Sequence, residues 1–109
     1  MQIGMTNNLH ISYELHQPDK NQEALIAAIR ALGTWARIHS SFWYINSGLT
    51  ATQARDNLLS ILGPQDSLYV VDVTNRVAAW QNMSEFAVKI IKDRWDASLE
   101  APGLANALT

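Results

Sequence analysis

The chain predicts an α+β domain whose elements run strand, helix, strand, strand, helix, strand, with a further helix near the C-terminus. Three observations carry this. Leu9, Ile11, Tyr13 and Leu15 alternate with His10, Ser12, Glu14 and His16, the period-two pattern of a half-buried strand. Residues 22–35 and 51–62 instead carry apolar side chains at spacings of three and four, as one face of a helix does. Between them lies Phe42-Trp43-Tyr44-Ile45, whose aromatic and β-branched content favours extended backbone.

Residues 1–8 show no sustained period and read as a flexible arm, 9–96 as a single domain, and 97–109, with Pro102-Gly103 and small residues after Leu104, as a mobile tail. The first strand spans 9–16. Pro18 disfavours further pairing, and Asp19 or Asn21 can cap the helix expected over 22–35, whose stripe is Leu25, Ala28, Ile29, Leu32 and Trp35. Gly33 interrupts that helix late. Short strands are expected at 35–39 and 41–46. Thr50-Ala51-Thr52-Gln53 fits a capping box, so a second helix opens there and runs to Leu62, stopped by Gly63-Pro64. Residues 67–74 are apolar on both parities except at Asp72, the pattern of a central strand covered on both faces. Asn75-Arg76 then turns the chain into 77–80, a short strand or an irregular cover, and Ser84 caps a third helix over 85–95.

This order is the split βαβ arrangement of the ferredoxin-like fold, with two helices on one face of an antiparallel sheet and the other face free. A free face needs cover. A homodimer through it, or docking of the segment after Thr74 onto a partner's sheet edge, would supply that cover.

Composition narrows the function. A chain of 109 residues can bury roughly two thirds of its unfolded surface. The lack of cysteine excludes disulfides, thiolate zinc sites and cysteine nucleophiles. With no signal-peptide pattern and no apolar run near the ~20 residues of a membrane span, a cytoplasmic protein with no membrane contact is expected. Eight basic against ten acidic residues give a formal charge of −2, which argues against gripping long nucleic acid by its phosphates. Charged residues make up 17% and hydrophobic residues 48%, a balance that favours self-association. Phosphate-loop, nucleophile-elbow and dinucleotide fingerprints are absent from the sequence.

The ordered features are Tyr13-Glu14 at a strand tip, Gly33 after a helix, Arg37-Ile38-His39-Ser40-Ser41-Phe42-Trp43, the helix opened by Thr50, and Asp66-Ser67-Leu68-Tyr69-Val70. Together, over most of 9–74, they resemble the small CRISPR-associated nuclease family (the second of the two adaptation proteins) and its SinR-like and VapD-like relatives. Val70-Val71-Asp72-Val73-Thr74 and Ala78-Ala79-Trp80 are most similar to the SinR-like branch. The resemblance implies a homodimer in which two strand-end carboxylates face each other and hold magnesium or manganese for cleavage of RNA or DNA. It makes Glu14 the catalytic and metal-holding residue, where the family has Asp, and Arg37, His39 and Ser41 the nucleic-acid contacts, His39 standing where the family has Gln.

Each candidate also has a plainer reading. Glu14 can be a solvated strand-end acid or a partner of Arg37, and Arg37 can serve to keep a sheet edge soluble. His10, His16 and His39 are either an acid/base cluster around Glu14 or surface and interface residues. Asp72 is expected to pair with Arg55 or Arg76 or to lie on a dimer face. Trp43, Trp80 and Trp95 are candidates for base stacking or for interface anchors. The rival function is a non-catalytic interaction module, such as a toxin–antitoxin or mobile-element component, that binds a protein partner through the free sheet face and the third helix.

Overall fold

The computed structural model describes residues 5–96, so the expected tail and the start of the expected arm lie outside the described residues. The elements are β1 (Asn7–Glu14), α1 (Pro18–Arg30), β2 (Thr34–His39), β3 (Phe42–Ser47), α2 (Ala51–Leu59), β4 (Ser67–Asp72) and α3 (Glu85–Trp95). The strands form one antiparallel sheet in the order β2-β3-β1-β4. This is the expected β-α-β-β-α-β fold with a C-terminal helix.

The alternation in β1 sets the layers. Leu9, Ile11 and Tyr13 are buried against Leu25 and Ile29 of α1, Ala54 and Leu58 of α2, and Trp43 and Ile45 of β3. Thr50 caps α2 as expected: its hydroxyl accepts from the Gln53 N–H at 3.1 Å, and the Gln53 side chain accepts from the Thr50 N–H at 3.0 Å. Helix α1 begins earlier than expected, because Pro18 sits in its first turn, where a missing N–H costs nothing. It ends at Arg30, so Trp35 belongs to β2 and not to the helical stripe. Gly33 is needed for a close approach: a Cβ there would lie 2.1 Å from the Asn46 carbonyl oxygen.

Three expectations are corrected. First, β4 is an edge strand and not a central one. Leu68 and Val70 pack on the helix side, while Tyr69, between them, is 66% exposed. Second, the opposite sheet face is not free, because α3 packs across its β2–β3 half. There Ala87, Ile91 and Trp95 bury Ala36 and Tyr44, and Phe86 reaches round the β2 edge to Trp35, ring centroids 6.0 Å apart. Third, residues 76–83 form the irregular cover, one of the two forms expected of 77–80, but this strap lies on the chain's own sheet face and not over an edge; Ala78, Trp80 and Met83 join that second core.

Asn8 ties the two layers together, although it falls in the expected arm. It is fully buried; its Oδ1 accepts from the Tyr44 hydroxyl at 2.5 Å and the Asn46 amide at 3.0 Å, and its Nδ2 donates to the Trp95 carbonyl at 3.2 Å. Burial holds the Tyr44 phenol pKa well above its ordinary value, outweighing the Asn46 hydrogen bond and the Arg94 charge, so Tyr44 remains a donor. These bonds fix the C-terminal end of α3 over β1 and β3.

Candidate functional site

Because α3 and the strap cover the sheet face over Ala36, Tyr44 and His10, the part that stays open is the end toward the β2–β3 turn, around Ser12, Glu14 and Tyr69. The register puts one row of residues across all four strands: Tyr69 of β4 is opposite Ser12 of β1, Ser12 opposite Phe42 of β3, and Phe42 opposite His39 of β2. Tyr69 and His39 are exposed, and Phe42 is half-buried. The His39 and Phe42 rings stack with centroids 6.4 Å apart and planes inclined by 29°.

His39 reaches this face through a β-bulge. Pairing of β2 with β3 shifts register between Arg37 and His39, so the residues no longer share a face as simple alternation requires. Arg37 stays on the helix side with its guanidinium 5.0 Å from the Trp43 ring, and its Nε and Nη2 donate to the Ser40 carbonyl at 3.3 and 2.8 Å. The same carbonyl accepts from the Tyr13 hydroxyl at 3.3 Å, and that hydroxyl accepts from Trp43 Nε1 at 3.3 Å. Arg37 thus secures the β2–β3 turn and does not pair with Glu14.

Glu14 is exposed at the tip of β1, opposite Ser67. It lines an open cleft with Ser12, Ser41 and Tyr69, so the fold brings Glu14 and Ser41 together but places Arg37 and His39 elsewhere. The expected histidine cluster is dispersed: His10 lies under the strap against Phe42, His16 borders a neighbouring cleft beside Glu14, and His39 stacks on Phe42. Among the described residues, no three of His, Asp and Glu lie close enough to hold a metal ion. One chain offers a single carboxylate among serine hydroxyls, a donor set that does not fit magnesium or manganese, which favour carboxylate-rich oxygen sites.

Other acids have structural work. Asp72 accepts from the Thr74 N–H at 2.9 Å and not from either expected arginine, and Arg55 pairs with Asp56 at 2.8 Å. Asp66, which the sequence marks only as the head of the 66–70 strand, clamps the loops beside the cleft by accepting from the His16 N–H at 2.7 Å, the Asn21 amide at 2.9 Å and the Gly63 N–H at 2.7 Å. Those bonds, that from His16 first, hold its pKa below the usual carboxylate value. Trp43 and Trp95 are fully buried and offer no ring to a ligand lying on the sheet surface; Trp80 is half-buried. On the open part of the sheet the accessible rings are Phe42 and Tyr69, which the sequence hides inside strand-like runs. Alternation could have found them: Trp43 and Leu68 share the face of the first core, so their neighbours Phe42 and Tyr69 face away from it.

No family model matches this chain, and no curated protein matches it in sequence. Among solved structures, the crystal structure of a hypothetical protein TT1823 from Thermus thermophilus is similar, with a TM-score of 0.57 and 17% identity. The alignment covers 72% of this chain and 95% of that one, and at this identity the likeness is one of fold.

Proposed function

We propose that the protein binds single-stranded RNA or DNA on the open part of its sheet, as a SinR-like or VapD-like relative of the CRISPR-associated nucleases. The supporting observation is the row Tyr69, Ser12, Phe42, His39, which sets rings on β4, β3 and β2 along one line, with Ser12 of β1 between Tyr69 and Phe42. Strands lie about 4.8 Å apart, and base-on-ring stacking contributes about 1–3 kcal/mol per base without needing a basic groove. That mode suits a chain of charge −2. Fluorescence anisotropy of short labelled RNA and DNA strands tests it. Tyr69→Ala should weaken binding about tenfold while leaving duplex binding negligible; unchanged affinity for single strands would remove the row from the site.

Cleavage is a second reading, favoured by the exposed Glu14 carboxylate in the same cleft as Ser12 and Ser41. It requires a second copy, since one chain brings a single acid to the cleft. That second copy must seat its own Glu14 beside this one, at the exposed tip of β1. Sedimentation should then show a dimer at micromolar concentration. Cutting of the labelled strands in magnesium or manganese should disappear in Glu14→Gln. If parent and Glu14→Gln cut equally, the activity does not belong to Glu14, and a parent that neither binds nor cuts leaves the protein-interaction module as the function.

A further inference from the structure

We propose that the cavity between the strap and the sheet is a receptor for one nucleobase, an uncharged planar heterocycle, with its sugar and phosphate left outside. This deepens the reading of the aromatic row as a single-strand site and rests on it. The cavity has a volume of about 310 Å³, at the small end of the ~300–1,000 Å³ typical of ligand pockets. Its walls are mostly apolar: Phe42 on the sheet, Trp80 on the strap and Trp95 on α3, with polar groups limited to His10, His39 and Gln81.

The chemistry of the lining selects the occupant. No Lys, Arg, Asp or Glu borders the cavity, so a charged group entering it would lose its hydration without compensation. His10 sits edge-on to Phe42 and Tyr44, with centroids 5.2 and 6.4 Å away. Among the described residues none makes a hydrogen bond to its ring. Burial lowers its pKa, which keeps the ring neutral with one N–H donor and one bare nitrogen acceptor. His39 and the Gln81 amide each add a donor and an acceptor at the mouth. Paired donors and acceptors on aromatic walls match the edge and faces of a base.

The roof and the mouth agree with this. Asn75 and Asn82 flank the strap with φ of 67° and 60°, and Trp95 Nε1 holds one end by donating to the Arg76 carbonyl at 3.1 Å. Among the described residues, 77–83 make no backbone-to-backbone hydrogen bond, so the roof can shift without breaking a ladder. Phe42 and His39 belong both to this cavity and to the open row. A strand lying on the row therefore passes the mouth and can turn one base inward.

The test uses the whole chain and reads two signals, anisotropy of a labelled oligoadenylate and quenching of intrinsic indole fluorescence, to which Trp80 and Trp95 contribute. Free adenosine forms the second arm. A base delivered by a strand should quench the indoles and bind about tenfold more weakly in His10→Phe, which keeps a slightly larger aromatic ring in place and removes both nitrogens. Gln81→Leu, at an exposed position outside the cores, should act in the same direction and guards against a folding defect in His10→Phe. Tyr69→Ala should lower affinity but retain quenching at saturation. If both cavity variants bind and quench like the parent, the cavity proposal is overturned while the row survives. If the parent binds no strand, the row fails, and adenosine decides for the cavity: saturable quenching lost in His10→Phe upholds a base receptor, and no quenching overturns it.

Discussion

Replacing Asn8 with Ala should detach the C-terminal end of α3 from the sheet. In the folded chain the Asn8 carboxamide makes three buried hydrogen bonds, to Tyr44, Asn46 and the Trp95 carbonyl. Asn46 has a second acceptor in the Arg94 carbonyl at 3.3 Å, so its loss is partial. Among the described residues the buried Tyr44 hydroxyl donates to no other acceptor, and an orphaned buried donor costs about 1–3 kcal/mol. The lost bond to the Trp95 carbonyl adds roughly 0.5–1.5 kcal/mol, and the space left by the carboxamide adds to both. A total near 3 kcal/mol is expected, a large part of the ~5–15 kcal/mol that holds a domain together. Urea unfolding followed by tryptophan fluorescence measures it, and in a thermal scan the midpoint should fall by roughly 10–20 °C. Tyr44→Phe is the companion change. It deletes the donor instead of orphaning it, leaves Asn8 Oδ1 with Asn46, and should cost only about 1 kcal/mol. The double variant should then show a coupling of about 1 kcal/mol or more. A loss below about 1 kcal/mol for Asn8→Ala, or strict additivity with Tyr44→Phe, would refute the role given to this network.

Gly33→Ala should destabilise the fold by about 1–3 kcal/mol, because the new methyl meets the β3 backbone at Asn46 and not a side chain that can swing away; equal urea midpoints would contradict the close approach. Asp66 has a folded pKa below its ordinary value of 3.8, so its contribution is complete above that value and is lost as pH falls through the depressed folded pKa. Asp66→Asn should therefore flatten the acid limb of stability below about pH 3.8, measured by thermal midpoints across pH. His10 behaves alike with a higher reference: its folded pKa is lowered from 6.5 by burial, so the unfolded chain binds the proton first and stability declines as pH drops below 6.5. His10→Phe should remove that decline, and a variant with the parent's pH profile would show that another group sets it. Glu14→Gln should leave stability unchanged and strengthen binding of single strands a few-fold, since it removes a like charge beside the phosphates; weaker binding would assign the carboxylate a direct contact.

Local chemistry made much of the fold legible. The alternation in β1, the Thr50–Gln53 box and the Ser84 cap each describe an interaction that closes within a few residues, and each stands where expected. What escaped depends on distant partners. Asn8 reads as polar arm material because nothing nearby reveals that Tyr44, Asn46 and Trp95 will surround it. Pro18 reads as a break because proline ends pairing and begins helices equally well, and the apolar stripe alone cannot place a helix's first turn. The strand at 67–74 looks central because its two parities are both apolar; yet α2 covers one face, and Tyr69 and Val71 are simply left on the half-open other.

The site was least legible for a specific reason, the bulge between Arg37 and His39. Read as an unbroken β2, Arg37 and His39 share a face. One extra residue, unmarked by glycine or proline, parts them, and Ser41 lies beyond β2 in the turn. Arg37 lies on Trp43 and binds the Ser40 carbonyl, His39 stacks on Phe42 at the mouth of the strap cavity, and Ser41 lines the cleft of Glu14. The side chains that remain on the open face are aromatic and not cationic. It follows that salt should weaken strand binding only slightly here, whereas a phosphate-gripping set of the same residues would lose affinity steeply.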